Sequence, residues 1–91
     1  GDTGSLPRSL EEETRQALDN MKAVLESAGC TMNHILKTSI YLEDIRDFKE
    51  INEIYSEYFT APYPARATVQ VSGLPLGARV EIEAMARMKE E

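Results

Sequence analysis

Four groups of side chains in this 91-residue sequence could do chemistry: an arginine, two glutamates, an asparagine and a neighbouring cysteine and histidine. Arg66 stands in "YPARATVQV", between the proline-stiffened Pro62–Pro64 segment and a clean strand alternation, so its guanidinium leaves from a preset backbone. A planar five-donor fork suits a carboxylate, and the competing role is an ordinary surface ion pair with Glu81 or Glu83. Glu81 and Glu83 alternate on one side of a strand, about 7 Å apart by strand rise. They suit paired acid–base work if one is buried, and are otherwise a solvated pair. Asn52 interrupts an apolar helical stripe, so its amide needs a partner, either a loop backbone that it pins or a ligand. Cys30 follows a glycine with no cation beside it and reads as an inert buried thiol. His34 has no triad-like spacing and reads as a surface histidine. Two such ligands without a third make no zinc site.

The elements that must position these residues follow from periodicity. Ser9 and Glu12 have capping-box spacing. After them Leu10, Ala17, Leu18, Met21, Val24, Leu25 and Ala28 form a helical stripe that Gly29 should close in a left-handed C-cap. From His34 to Leu42 the period falls to two, with Leu36, Thr38, Ile40 and Leu42 expected on one face and Ile35, Lys37, Ser39 and Tyr41 on the other. Asp44 and Asp47 open a second helix with Phe48, Ile51, Tyr55, Tyr58 and Phe59 as its apolar side. A second strand should turn Ala67, Val69 and Val71 inward and Arg66, Thr68, Gln70 and Ser72 outward. After the Gly73–Gly77 turn, a last strand from Arg79 to about Met88 sends Val80, Ile82, Ala84, Ala86 and Met88 inward. The order αβαββ is α+β: two helices on one face of a three-stranded sheet. The outer face would then present Lys37, Ser39, Tyr41, Arg66, Thr68, Gln70, Glu81 and Glu83, either solvated or as a subunit interface with a polar pocket.

The totals narrow the function. A chain this short forms one small core, so oligomerisation is a natural way to gain buried area. The net charge of −6 and the lack of a Lys/Arg cluster argue against a nucleic-acid partner. No run approaches a membrane span and no signal peptide is read at the start, so the expectation is a soluble, cytoplasmic protein, with an organellar setting as the alternative. A lone cysteine fits a reducing compartment.

Taken together, "TRQALDNMKAVLESAGC", "ILKTSIYLEDIRDFKEINEIYSEYF", "YPARATVQVSGLP" and "GARVEIEAMA" carry a resemblance. From about Thr3 to Met88 the sequence resembles the Rid (YjgF-type) family of reactive-intermediate imine deaminases. The resemblance implies a chorismate-mutase-like α+β fold over residues 1–91, a homotrimer with ligand pockets between subunits, and no metal or organic cofactor. It implies hydrolysis of 2-imino acids to 2-keto acids and ammonia, with Arg66 binding the substrate carboxylate, Asn52 beside it and Glu81 orienting water. Thr68 stands where many members have a cysteine, leaving a hydroxyl to bond the substrate. The same resemblance leads to the expectation that this chain lacks the family's first two strands, the opening β-hairpin with its "GPYSQ"-like and "SGQ"-like segments. Two other functions stay open: a non-catalytic trimer that binds small carboxylates and regulates a partner, and an endoribonuclease or translation inhibitor.

Overall fold

The computed structural model describes residues 9–87; Met88, expected on the inner face of the last strand, lies outside them. The element order is α1 (Leu10–Ser27), β1 (Ile35–Leu42), α2 (Phe48–Ser56), β2 (Ala65–Gln70) and β3 (Val80–Ala86), the αβαββ order expected. β1 is the central strand, parallel to β2 on one side and antiparallel to β3 on the other. A parallel pair cannot be closed by a hairpin, so α2 and its flanking loops form the crossover between β1 and β2.

α1 starts where the capping box places it. Ser9 Oγ accepts from Glu12 N–H, and the Glu12 carboxylate accepts from Ser9 N–H. It stops on Gly29, whose φ of 79° is the left-handed geometry that only glycine adopts without strain. Gly29 N–H donates to Glu26 and Cys30 N–H to Leu25, the paired bonds that satisfy a helix's last carbonyls. Cys30 and Leu25 are both buried, so this cap also seals the core. α1 lays Leu10, Leu18 and Leu25 on the sheet, and α2 adds Ile51, Ile54 and Tyr55. Leu18, Ile40, Leu42 and Ile51 are fully enclosed. Burying each such side chain stabilises the fold by about 1.5–3 kcal/mol.

Three expectations need correction. The alternation placed Leu36 inward and Ile35 outward, yet Ile35 is buried and Leu36 is half exposed. A register shift between Ile35 and Lys37 adds one unpaired residue there. Such a bulge swaps the facing of whatever precedes it. Second, α2 ends at Ser56, so Tyr58 and Phe59 follow it, although Phe59 still reaches the core. The same helix also begins later than expected, because Asp44 caps the 3-10 turn Ile45–Asp47 rather than α2 itself, accepting from Arg46 N–H.

The third correction bears on function. In the parallel ladder Thr38 faces Arg66, Ile40 faces Thr68 and Leu42 faces Gln70. Arg66, Thr68 and Gln70 therefore lie on the helix side, while Ala67 and Val69 join Ser39 and Tyr41 on the open side. β3 keeps its expected facing: Ile82 and Val80 oppose Ile40 and Leu42, and Glu81 and Glu83 oppose Tyr41 and Ser39. The inversion of β2 is affordable because it is an edge strand with no fully buried residue. Its polar side chains find partners under the crossover, where Gln70 accepts from Ile45 N–H and Arg66 meets α2.

Candidate functional site

Arg66 leaves the second residue of β2, just past the Pro62–Pro64 turn, and crosses to α2. Phe48, Asn52 and Tyr55 are spaced four and three residues apart, so they form one stripe of that helix. The guanidinium carbon lies 5.2 Å from the Phe48 ring centre and 5.0 Å from that of Tyr55. One terminal nitrogen donates to Asn52 Oδ1. Each ring contact at an exposed cation is worth about 0.5–1 kcal/mol, and none neutralises its charge.

These side chains border a concavity of about 360 Å³ lined by Asn52, Tyr55, Ser56, Tyr63, Pro64 and Arg66. Among the described residues no carboxylate lines it. Among the described residues the ion pairs are Arg15 with Glu11 and Glu57, Arg46 with Asp44, and Arg79 with Glu13, so Arg66 is not half of a salt bridge. The alternative partners are engaged elsewhere or out of reach: Glu83 accepts from the Tyr41 hydroxyl at 3.2 Å, and Glu81 is on the far side of the sheet. A guanidinium with one amide partner, two aromatic faces and an open concavity beside it has donors that could meet an anion.

Below the pocket, the Tyr55 hydroxyl and Thr38 Oγ1 form a 2.7 Å hydrogen bond in the core. Tyr55 was expected to be core only; it is 4% exposed and still offers a ring face to Arg66. Asn52 was read as the pin of a loop backbone or a ligand contact, and its side chain instead holds Arg66. Thr68 lies two residues beyond Arg66 on the same side of β2, half buried.

Glu81 does not join this group. Its row runs through Tyr41 to Val69, whereas the row of Arg66 runs through Thr38 to Ala84. The two rows differ by three residues and point to opposite faces. Within one protomer the arginine and glutamate side chains therefore leave opposite faces of the sheet. A larger concavity of about 510 Å³ between α1 and β3 has Glu81 among its lining residues but contains no cation.

The remaining candidates are structural. His34 Nδ1 accepts from Thr31 N–H at 2.9 Å, closing the 3-10 turn before β1. Cys30 is buried, its sulfur 3.9 Å from the Arg87 carbonyl oxygen. Among the described residues no group of three or more His, Cys, Asp or Glu could hold a metal ion, and no helix is long and apolar enough to cross a membrane. The sequence reading missed Phe48, Tyr63 and the Thr38–Tyr55 pair. The available signal was the stripe spacing of Phe48, Asn52 and Tyr55, with a polar residue set between two rings.

Comparison with known proteins bears on the same residues. Residues 1–88 match the profile of the family described as Endoribonuclease L-PSP. The human 2-iminobutanoate/2-iminopropanoate deaminase is 52% identical over 77 residues, covering 85% of this chain and 56% of the human one. The chain thus spans about half the length of the curated relatives it matches. Among solved structures, the YjgF gene product of E. coli is 41% identical with a TM-score of 0.84, over 93% of this chain and 69% of that one. E. coli TdcF with bound serine is 37% identical with a TM-score of 0.87, over 97% of this chain and 72% of that one.

Proposed function

The chain belongs to the Endoribonuclease L-PSP family, the Rid family of the sequence resemblance, and from that premise we propose that it hydrolyses reactive 2-imino acids to 2-keto acids and ammonia. The observation that carries the proposal is Arg66, a cation oriented by Asn52 and two rings beside a pocket that no carboxylate lines among the described residues. A 2-imino acid brings the missing carboxylate. Serine, bound in the similar TdcF structure, carries the same group.

In this scheme Arg66 grips the carboxylate and fixes the adjacent imine carbon. Water adds its oxygen to that carbon while the C=N electron pair takes up a proton, giving a carbinolamine. Collapse then expels ammonia as the hydroxyl loses its proton and the carbonyl forms. Water and imine balance the equation without a redox partner, and positioning supplies most of the rate. Glu81 is the proposed acceptor that orients the water. Because it lies on the other face of the sheet from Arg66, it acts on substrate held by a neighbouring copy, and the proposed assembly is a homotrimer with its sites between subunits. Thr68 and Asn52 are the proposed polar contacts beside the carboxylate.

The test is keto-acid formation from a freshly generated imino acid. Arg66→Ala should lower kcat/KM about 10²-fold, and Arg66→Lys should recover only part of it, because an ammonium cannot make the two-point contact. Activity unchanged in Arg66→Ala would remove Arg66 from the mechanism. One observation favours a second reading: Arg66 and its supports line a concavity within one protomer while Glu81 is not among its lining residues. Carboxylate binding by the assembled protein without hydrolysis would select a binding or regulatory role.

A further inference from the structure

Arg66 is exposed and carried on a long flexible stem, so its use as an anchor depends on what orients it. The ring of Tyr55 is the nearer of its two aromatic supports, and that ring is fixed at its far end. Tyr55 is buried, so its phenol hydroxyl must find a partner within the core. Thr38 Oγ1 supplies it at 2.7 Å, from a fully buried position on the central strand where valine would have nearly the same shape. Thr38 is also the residue of β1 paired with Arg66 in the parallel ladder. The strand position beside the arginine backbone therefore holds the ring on which the guanidinium rests. The circuit closes from Arg66 to Thr38 through the backbone ladder, from Thr38 to Tyr55 through the hydroxyls, and from Tyr55 back to Arg66 through the ring face. Phe59 packs on Tyr55 with ring centres 4.5 Å apart, which limits the ring's remaining freedom.

We propose that the buried Thr38–Tyr55 hydroxyl pair is a positioning device that sets the guanidinium of Arg66 for two-point capture of a carboxylate. The inference rests on the reading of Arg66 as the carboxylate anchor. Neither hydroxyl touches substrate; both act through the ring.

The experiment measures affinity for 2-oxobutanoate and for its uncharged amide, with melting temperature and the KM–kcat split recorded on the same proteins. Thr38→Val or Tyr55→Phe alone leaves one buried hydroxyl unsatisfied, so each should lower the melting temperature. The double variant removes both partners and should melt near the wild type. If the pair positions Arg66, the double variant still binds 2-oxobutanoate roughly tenfold more weakly and raises KM with little change in kcat. Its affinity for the amide stays unchanged, and Thr38→Ser, which keeps a hydroxyl, restores carboxylate affinity. A double variant that binds 2-oxobutanoate as the wild type does, or that loses carboxylate and amide equally, overturns the proposal. Full 2-oxobutanoate affinity in Arg66→Ala would instead overturn the anchor reading beneath it, a separate result because it does not involve the hydroxyl pair.

Discussion

A guanidinium held against aromatic rings differs from one held by carboxylates: the rings orient it and leave its charge available. The contrast exists within this chain. Arg15 is pinned between Glu57 and Glu11, whose hydrogen bonds push its pKa further up, and Glu57 is correspondingly held below its ordinary value by Arg15. Arg46 forks onto Asp44. Those two arginines are paired with carboxylates; among the described residues Arg66 is not. The Asp44 carboxyl is held down to about 2, chiefly by the side-chain hydrogen bonds from Arg46 and then by Arg46 N–H. A folded-state pKa below the unfolded value of about 3.9 adds stability that is complete above that pH and lost as pH falls toward 2. Thermal melts of the wild type and Asp44→Asn should therefore converge between about pH 4 and pH 2. A constant gap across that window would show that the carboxylate charge does not hold the 3-10 turn ahead of α2.

At the scale of elements, what was legible depended on how strongly each one is constrained. The limits of α1 follow from side chains that act locally: Ser9 and Glu12 bond each other's backbone, and Gly29 takes a φ closed to other residues. An added methyl at Gly29 would meet nothing within 4 Å, so the cost of Gly29→Ala is purely conformational. Chemical denaturation should show a loss of about 1 kcal/mol, with Gly29→Asn losing less. No loss would mean that the cap relaxes to another geometry. The facing of β2 was not legible, for an opposite reason. On an edge strand with no fully buried position, polarity does not report orientation, and Arg66, Thr68 and Gln70 were assigned to the wrong side. Ladder pairing with Thr38, Ile40 and Leu42 decides it, and that is a long-range fact. The bulge at Leu36 is likewise set by pairing with β3. The backbone setting and the family pattern single out Arg66 as a candidate, whereas its ring supports required the three-dimensional neighbourhood of α2.

At the scale of the molecule, these 91 residues carry a net charge of −6, which opposes rather than favours contact with a phosphate backbone. Its open sheet face carries Val69 and Met85 beside Tyr41 and Glu83, a mixture of apolar and paired polar groups suited to contact with another subunit. If each site takes Arg66 from one copy and Glu81 from the next, two inactive proteins can repair each other. Arg66→Ala and Glu81→Gln, unfolded and reassembled together in equal amounts, should regain about a quarter of wild-type activity, the share of sites that draws both intact residues by chance. Recovery no greater than the sum of the separate variants would place both residues' work within one subunit. The opposed facing of Arg66 and Glu81 has a further consequence. On the proposed reading of those two residues, a subunit released by dilution would keep the arginine pocket and lose the neighbouring copy's glutamate, holding keto acids without hydrolysing imines. Hydrolytic output would then fall faster than protein concentration, so that the abundance of the protein would itself regulate the rate per chain.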